Sequence, residues 1–315
     1  VATRPDAVEG GTLAFDRVGV EVNQGQRSRE TTLSLEYRST RGAQHVLVLP
    51  DNAELLAVEI DGDTEPLRIE DGRLAIPVLP GEHDVEIAWR ESVPAGIAGR
   101  MPVVDLGAPA SNVTLTLDLP PSRWLLGASG PALGPAVLYW SELAVLVVFA
   151  WILSRINFTP LRFRHWLLLG LGFSTFSWGV FAVVVAWLVA VGARDRWRPD
   201  TTPALYNAQQ AGIIVLTVIA LLAIVVSLPL GLLGVPDMSV TGNGSWGNHL
   251  QWFADRAEGV PPTAVAWSVP LWVYKALILA WALWLSLALL RWLPWTWQCF
   301  AKDGFFRSRT ETVVR

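Results

Sequence analysis

The sequence predicts a β plus α membrane protein, in which an N-terminal antiparallel β-sandwich-like domain is followed by a four-helix transmembrane bundle. Three observations predict it. Residues 1–130 contain 20 Asp and Glu against 11 Arg and no Lys, so this part is polar and acidic. From about Ala136 to Leu290 the chain carries four long apolar runs. Sixteen of the 17 Trp lie at or after Trp124, and Trp is enriched where a membrane protein meets lipid headgroups.

Alternation of apolar and polar residues predicts strands in residues 1–130. Thr32–Tyr37 and Val113–Leu119 both alternate in this way, as half-buried antiparallel strands do. Between them, short apolar segments are separated by Asp61-Gly62, Asp71-Gly72 and Pro80-Gly81, and these dipeptides favour tight turns. Short strands at roughly ten-residue spacing indicate a small antiparallel sandwich.

Residues 1–130 carry no pattern that predicts a catalytic or metal site. His45 and His83 lack a Cys, Ser or Asp partner at a recognisable spacing, so we interpret them as surface or strand-edge residues. The acidic residues around Asp61 lack the regular spacing of a calcium loop. Cys299 is the single cysteine and cannot form a zinc site alone. We therefore expect no enzyme activity, no cofactor and no metal. We also expect no binding of nucleic acid, because no run of basic residues could follow a phosphate backbone.

The four apolar runs are each long enough to cross the about 30 Å hydrocarbon core of a bilayer. A backbone in lipid must satisfy its own hydrogen bonds, which favours helices. Gly170, Ser174 and Ser177 form a stripe of small residues on which another helix could pack. The bundle occupies residues 131–298 and a basic tail follows at 299–315, and the predicted spans are 135–156, 166–191, 211–233 and 269–293.

Two ionisable residues, Glu142 and Lys275, lie inside apolar runs and form the candidate site. Charge is costly in lipid, so such residues are frequently functional. In one interpretation they form a buried ion pair or part of a proton relay. In the other, each side chain reaches to its nearer interface, because both lie about two turns from a helix end.

A long loop, residues 236–268, interrupts the bundle. Apolar residues recur at helical spacing over Leu250–Ala257, which predicts a short interfacial helix. His249 shares the loop with Asp237 and Asp255, but one His with scattered acids is a weak candidate for a metal or acid–base site.

Two signals for the sidedness of the β domain disagree. Among the Lys and Arg beside the four spans, nine lie on the side of the β domain and four on the other, which favours a cytoplasmic β domain. An acidic, Lys-free domain is instead typical of export, and long domains cross a membrane largely regardless of charge. The two signals would agree if the first apolar run did not fully cross the membrane. We favour an extracytoplasmic β domain.

Three segments, Leu79–Trp89, Gly134–Trp140 and Ser268–Tyr274, resemble the C-terminal portion of large uncharacterised proteobacterial inner-membrane proteins. The resemblance implies a multi-pass protein of the bacterial inner membrane with a periplasmic β domain, and it brings no site residues with it. Because the chain begins with Val1, we expect a processed form or the C-terminal part of a longer protein.

The expected function is that of a membrane protein without enzyme activity, whose helices anchor a β-sandwich interaction domain. Its expected partners are the lipid bilayer and a protein of the cell envelope. The alternative is a transport or lipid-handling component of an envelope complex, in which Glu142 and Lys275 act.

Overall fold

The chain folds into two compact units. We call them the β unit, Val1–Leu138 with Met238–Pro270, and the helical unit, Tyr139–Asp237 with Leu271–Arg315. The chain therefore passes between the units three times. The predicted basic tail lies outside the described residues from residue 307 onward. The computed structural model describes residues 13–131, 133–156, 159–175, 177–194, 202–302 and 304–306.

The described residues of the β unit form fifteen strands, some of them only two residues long. They are β1 (Leu13–Gln24), β2 (Arg29–Ser39), β3 (Ala43–Val48), β4 (Ala53–Ile60), β5 (Asp63–Thr64), β6 (Ile69–Glu70), β7 (Arg73–Val78), β8 (Gly81–Glu91), β9 (Ala98–Arg100), β10 (Pro109–Asp118), β11 (Arg123–Ser129), β12 (Ala136–Val137), β13 (Val240–Thr241), β14 (His249–Glu258) and β15 (Val265–Pro270).

The main sheet has seven strands in the order β14-β10-β1-β2-β8-β4-β5. The prediction of an antiparallel domain was wrong for its centre, because β1 and β10 pair in parallel. A parallel pair needs a long connection, and here β2 to β9 supply it. The sequence did not reveal β1, since a bulge between Phe15 and Arg17 interrupts its alternation of apolar and polar residues.

Three smaller sheets complete the unit, in the orders β11-β15-β9, β3-β7-β6 and β12-β13. Buried side chains from the main sheet and from the first two of these share one hydrophobic core, in which Trp89 and Trp252 are the largest apolar residues. Two of the three predicted tight turns, those at Asp61-Gly62 and Asp71-Gly72, are confirmed. Asp61 and Gly62 have φ values of 52° and 88°, and Asp71 and Gly72 have values of 52° and 74°.

Residues 238–270 form strands rather than a loop of the bundle, and the short helix predicted over Leu250–Ala257 was wrong. These residues are β14, at one edge of the main sheet. Leu250 and Trp252 are both buried, which is the two-residue period of a strand. The indole of Trp252 packs so closely that a Cβ on Gly130 or Gly134 would come within 2.5 or 2.2 Å of it.

The prediction of a four-helix transmembrane bundle was also wrong. Of the helices in the described residues, only α4 and α5 are long and apolar enough to cross a membrane, with 31 residues each. The first three have 16, 12 and 17 residues. The five helices are α1 (Tyr139–Ser154), α2 (Phe163–Ser174), α3 (Trp178–Arg194), α4 (Pro203–Leu233) and α5 (Leu271–Ala301).

The second predicted span, 166–191, is divided into α2 and α3 by hydroxyl side chains. Ser174 Oγ donates to the carbonyl oxygen of Leu171 at 3.1 Å, so a side chain competes for a backbone group of the last turn of α2. Ser177 Oγ then accepts the backbone N–H of Val180 at 3.3 Å and caps the start of α3. An apolar run interrupted by such residues makes two short helices instead of one long helix.

Successive helices of this unit run in opposite directions. The start of α1 meets the end of α2, since Tyr139 Oη lies 3.4 Å from Ser174 Oγ. The end of α3 meets the start of α4, and the end of α4 meets the start of α5. We call the end of the unit that holds Tyr139, Asp237 and Leu271 the connector end, because the chain passes to the β unit there. The opposite end, which holds Ser154, Arg194 and Ala301, is the distal end.

Candidate functional site

Glu142 and Lys275 both lie at the connector end but bind different partners. Glu142 is in the first turn of α1, and its Oε2 accepts a hydrogen bond from Trp178 Nε1 at 3.0 Å. Lys275 Nζ donates to the carbonyl oxygen of Leu233 at 3.2 Å. Within the described part of the helical unit, no ion pair joins the two residues.

The positions of both charges suit the dipoles of the helices. Glu142 lies at the start of α1, where the helix dipole is positive and favours an anion. Lys275 binds the last carbonyl of α4, where the dipole is negative and the carbonyl has no partner within its own helix. The geometry therefore supports a role for both residues in stabilising helix ends.

Four buried hydroxyl groups lie at the connector end: those of Tyr139, Ser174, Thr175 and Tyr274. Tyr139 Oη pairs with Ser174 Oγ, and Thr175 Oγ1 lies 3.4 Å from Tyr274 Oη. Tyr274 Oη also donates to the carbonyl oxygen of Gly231 at 3.3 Å. Consecutive residues of α5, Tyr274 and Lys275, thus satisfy two carbonyl groups in the last turn of α4.

Sequence reasoning missed this hydroxyl cluster, although one signal for it was present. The chain has only four Tyr, and two of them stand near the starts of apolar runs. A buried Tyr hydroxyl needs a hydrogen-bond partner, so a Tyr in such a position indicates polar groups nearby.

The hydrogen bonds described for these four hydroxyls go to other hydroxyls and to backbone carbonyls. Among the residues that the structure describes, no group of three or more His, Cys, Asp or Glu could hold a metal ion. The arrangement holds helix ends together.

A second polar cluster lies at the distal end, where Arg194 and Gln210 are only 1% and 0% exposed. Arg194 Nε donates to Gln210 Oε1 at 3.1 Å, and Arg194 Nη2 donates to Tyr206 Oη at 2.6 Å. Tyr206 Oη donates to the carbonyl oxygen of Gly304 at 2.8 Å, just after α5. Arg194 follows the second apolar run in the sequence, and the structure buries it where α3, α4 and the segment after α5 meet.

In the β unit, His249 pairs with an acid that the sequence did not suggest. Its Nδ1 lies 2.7 Å from Asp118 Oδ1, because β14 pairs with β10 in a register that places the two residues opposite each other. Neither Asp237 nor Asp255 takes this place. The ring of Trp246 stacks on His249 with centroids 5.8 Å apart. Pairing across strands far apart in sequence cannot be read from local spacing.

The other two histidines of the β unit also have partners across strands or loops. His45 Nε2 lies 2.5 Å from the carbonyl oxygen of Leu106. His83 Nδ1 lies 2.7 Å from Asp61 Oδ2 at the tip of a hairpin. The hydrogen bond to the Asp61 carboxylate raises the pKa of His83, and the same bond lowers the pKa of Asp61.

The sequence matches no protein-family model and no curated protein. Among solved structures it is similar to an M1 zinc metallopeptidase from Deinococcus radiodurans with a peptide substrate bound, at 13% identity and a TM-score of 0.29. That match covers 39% of this chain and 35% of the peptidase, so the chain spans about a third of the peptidase's length. A two-domain M1 zinc metallopeptidase bound to L-tryptophan gives 10% identity and a TM-score of 0.30 over 39% of this chain. At such scores the similarity supports no argument about fold or activity.

Proposed function

We propose that this chain is a bacterial inner-membrane protein without enzyme activity, in which α4 and α5 cross the bilayer and hold the β unit in the periplasm for a protein partner. The observation that carries the proposal is the apolar surface of these helices. In each, only 22% of the most apolar window of 18 residues is buried. Side chains such as Leu222, Val226, Leu283 and Leu290 are 59%, 61%, 61% and 69% exposed. Lipid accommodates such a surface, and water does not.

The lengths of α4 and α5 suit a bilayer. A helix of 31 residues is about 46 Å long, whereas the hydrocarbon core is about 30 Å thick. Both helices can therefore cross the core and continue into the headgroup region.

The charges of the helical unit support a periplasmic β unit. Arg155 and Arg162 lie between α1 and α2, and Arg164 lies in the first turn of α2, all at the distal end. Arg194 is the last residue of α3, and Lys302 directly follows α5. By the positive-inside rule this end faces the cytoplasm, so the connector end faces the periplasm.

The division of the second run into α2 and α3 supports a periplasmic β unit. With one continuous second helix, the basic linkers on either side of it would lie on opposite sides of the membrane. With α2 and α3 as separate antiparallel helices, the end of α1, the start of α2, the end of α3 and the start of α4 all lie at the distal end. The charge count and the acidic character of the β unit then favour the same orientation.

The outward face of the main sheet supports a partner with a basic surface. Glu36, which is half-buried and paired with Arg17, lies directly opposite Asp84, and Glu59 lies directly opposite Glu86 on exposed positions of β4 and β8. Like charges directly opposite each other in a sheet are destabilising. A basic partner would offset this repulsion when it binds.

Sidedness is tested with single cysteines in intact cells, in a background where Cys299 is replaced by Ser. Asn243→Cys reports an exposed turn of the β unit, and Arg155→Cys reports the linker between α1 and α2. A membrane-impermeant maleimide should label only Asn243→Cys in cells whose outer membrane is permeabilised, and both after lysis. Labelling of Arg155→Cys alone, or recovery of the chain from the detergent-free soluble fraction, would overturn the proposal.

A further inference from the structure

Three arginines and a histidine meet at the distal end of the helical unit, around the start of α2. Arg162 directly precedes α2, Arg164 lies in its first turn, and both are exposed. His165 Nδ1 accepts the backbone N–H of Arg162 at 3.1 Å, which holds the imidazole ring beside the start of the helix. The third arginine, Arg291, belongs to α5 and is exposed. We call these four residues the basic cluster.

The packing of α2 against α5 brings Arg291 to the level of Arg162. The two helices run in opposite directions and meet at Trp281, whose Nε1 donates to the carbonyl oxygen of Leu168 and whose ring packs on Gly172. Arg291 follows Trp281 by ten residues, about 15 Å further towards the distal end. Arg162 precedes Gly172 by ten residues, which is the same distance in the same direction.

The basic cluster lacks a counter-ion within the part of the chain that the structure describes. No salt bridge there includes Arg162, Arg164 or Arg291. The first turn of α2 has no acidic residue, so these cations stand where the helix dipole is already positive. Burial lowers the pKa of His165, and the positive charges of all three arginines lower it further. The like charges are therefore close enough to repel one another until an anion binds.

We infer that the basic cluster binds the phosphate of an anionic phospholipid whose acyl chains lie against α5. Guanidinium groups bind phosphate oxygens through two parallel hydrogen bonds, and arginines from two helices offer such donors from two sides. The inference rests on the proposed function, since it requires the helical unit to lie in a bilayer. It goes beyond that function by assigning a ligand and a site to the start of α2.

The surface of α5 favours a lipid over a soluble anion. Leu283, Leu287 and Arg291 follow one another at four-residue spacing, so they form one row on the helix. The two leucines are 61% and 60% exposed. Residues 271–290 of α5 precede Arg291, and a helix of that length is about 30 Å long, the thickness of the hydrocarbon core. A phosphate at Arg291 therefore lies at headgroup level, with the leucines beside its acyl chains.

Native mass spectrometry of the full chain in a nonionic detergent tests the inference. After incubation with equal amounts of phosphatidylglycerol and phosphatidylethanolamine, the wild type should retain mainly phosphatidylglycerol. Arg162→Gln combined with Arg291→Gln should reduce retention of phosphatidylglycerol by about tenfold or more. Arg155→Gln is the matched control, because it removes the same charge at the distal end. The guanidinium of Arg155 lies over the ring of Trp151 in α1, 4.8 Å from its centroid, and the control should keep the lipid.

The stability of the double variant separates loss of the site from loss of the fold. Without added lipid, its melting temperature in detergent should equal or exceed that of the wild type, because the two changes remove like charges. Added phosphatidylglycerol should raise the melting temperature of the wild type more than that of the double variant. A double variant that melts below the wild type without lipid would contradict the repulsion and overturn the inference.

Equal retention of the two lipids by the wild type would overturn the inference, and so would an equal loss in Arg155→Gln, which would indicate a general effect of charge. Displacement of phosphatidylglycerol by an excess of inorganic phosphate would assign the cluster to a soluble anion instead. Each of these results would leave the proposed function intact. A chain that needs no detergent would instead overturn the proposed function itself.

Discussion

At the scale of single residues, the buried carboxylate of Glu91 shows how the β unit accommodates charge in its core. Glu91 is 1% exposed, and Arg29 binds both of its oxygens through Nε and Nη2 at 2.7 Å each. Trp89 Nε1 lies 3.3 Å from Oε2, and Arg29 Nη1 donates to the carbonyl oxygen of Arg100 at 2.7 Å. Two-point pairing of this kind is geometrically specific and joins β2 to β8 at the level of the loop before β9.

Replacing Glu91 by Gln should lower the free energy of unfolding by about 3–5 kcal/mol, because it leaves the Arg29 charge buried without its counter-ion. Thermal unfolding of the full chain in detergent, followed by circular dichroism, measures the loss. The matched control is Glu30→Gln, since Glu30 pairs with Arg90 at the surface, with side chains 52% and 46% exposed. The control should change stability by less than about 1 kcal/mol. Equal effects of the two changes would contradict the prediction.

The His83–Asp61 pair should make stability depend on pH. The hydrogen bond raises the pKa of His83. The contribution of His83 to the free energy of unfolding is therefore full below the ordinary His pKa and is lost as pH rises through the raised value. The pKa of Asp61 is lowered, so its contribution is lost as pH falls through that lowered value. The pair therefore stabilises most in mildly acidic solution.

Asp61→Asn tests the pair and keeps a residue that tolerates the positive φ of this turn. The difference in melting temperature between the wild type and this variant should be largest near about pH 5–6 and should shrink above about pH 8. Asp63→Asn, at an exposed neighbouring position, is the control and should show no such profile. A constant difference from pH 5 to 9 would exclude the pair as its source.

At the scale of elements, small residues decide where the helices of the helical unit meet. A Cβ on Gly172 of α2 would lie 1.8 Å from the ring of Trp281 in α5. Trp281 is held in place, since its Nε1 donates to the carbonyl oxygen of Leu168 at 2.8 Å. Leu146 of α1 packs against Gly170 in the same way. Ser177 instead caps α3 and does not belong to the predicted stripe of small residues.

Gly172→Ala should therefore destabilise the helical unit by about 1–3 kcal/mol, because the added methyl forces the Trp281 ring to move. Gly212→Ala in α4 is the control, since no atom lies within 4 Å of its added Cβ. The control should instead stabilise its helix by up to about 1 kcal/mol. The measurement compares the melting temperature of each variant with that of the wild type in the same detergent. A shift of the same sign in both variants would contradict the packing argument.

Local patterns in the sequence predicted the elements whose shape depends on near neighbours. The Asp61-Gly62 and Asp71-Gly72 hairpins, and the strand around Leu33 and Leu35, follow from turn chemistry and alternation. β14 was misread because Leu250, Phe253 and Ala257 fit a helical period as well as a strand. The strand is favoured by two tertiary contacts: the pairing of β14 with the distant β10 and the packing of Trp252 against Gly134.

The same limit applies to the candidate site. Glu142 and Lys275 stood out because charge is costly in an apolar run. Their partners, Trp178 and the carbonyl of Leu233, depend on which helix ends meet. The hydroxyl pairs and the burial of Arg194 depend on the same tertiary contacts, which no spacing within one run encodes.

At the scale of the whole molecule, the β unit is discontinuous in sequence. β14 forms an edge of the main sheet and β15 lies between β11 and β9, although both follow four helices in the chain. Leu250, Trp252 and Ala266 bring side chains from this late segment into the core. The first 130 residues therefore do not contain the complete β unit.

A fragment of residues 1–130 should consequently fail to unfold cooperatively, since the loss of Trp252 alone removes about 3–5 kcal/mol of core packing. A joined fragment, residues 13–138 linked by Asn-Gly to residues 239–270, should fold and remain soluble. Val137 pairs with Val240, and the N–H of Leu138 donates to the carbonyl oxygen of Ser239 at 3.3 Å, so a two-residue turn closes this hairpin. Thermal denaturation followed by circular dichroism compares the two fragments, and a cooperative transition in the shorter one would show that β14 and β15 are dispensable.

The discontinuity of the β unit also sets an order of events during biosynthesis. β14 begins 131 residues after β10 ends, so at about 5–20 residues per second the ribosome needs roughly 7–26 s to supply it. During this interval β10 waits with an unpaired edge, and strand edges of this kind invite aggregation. An unpaired edge that persists for this long is therefore expected to be a site at which the nascent chain aggregates.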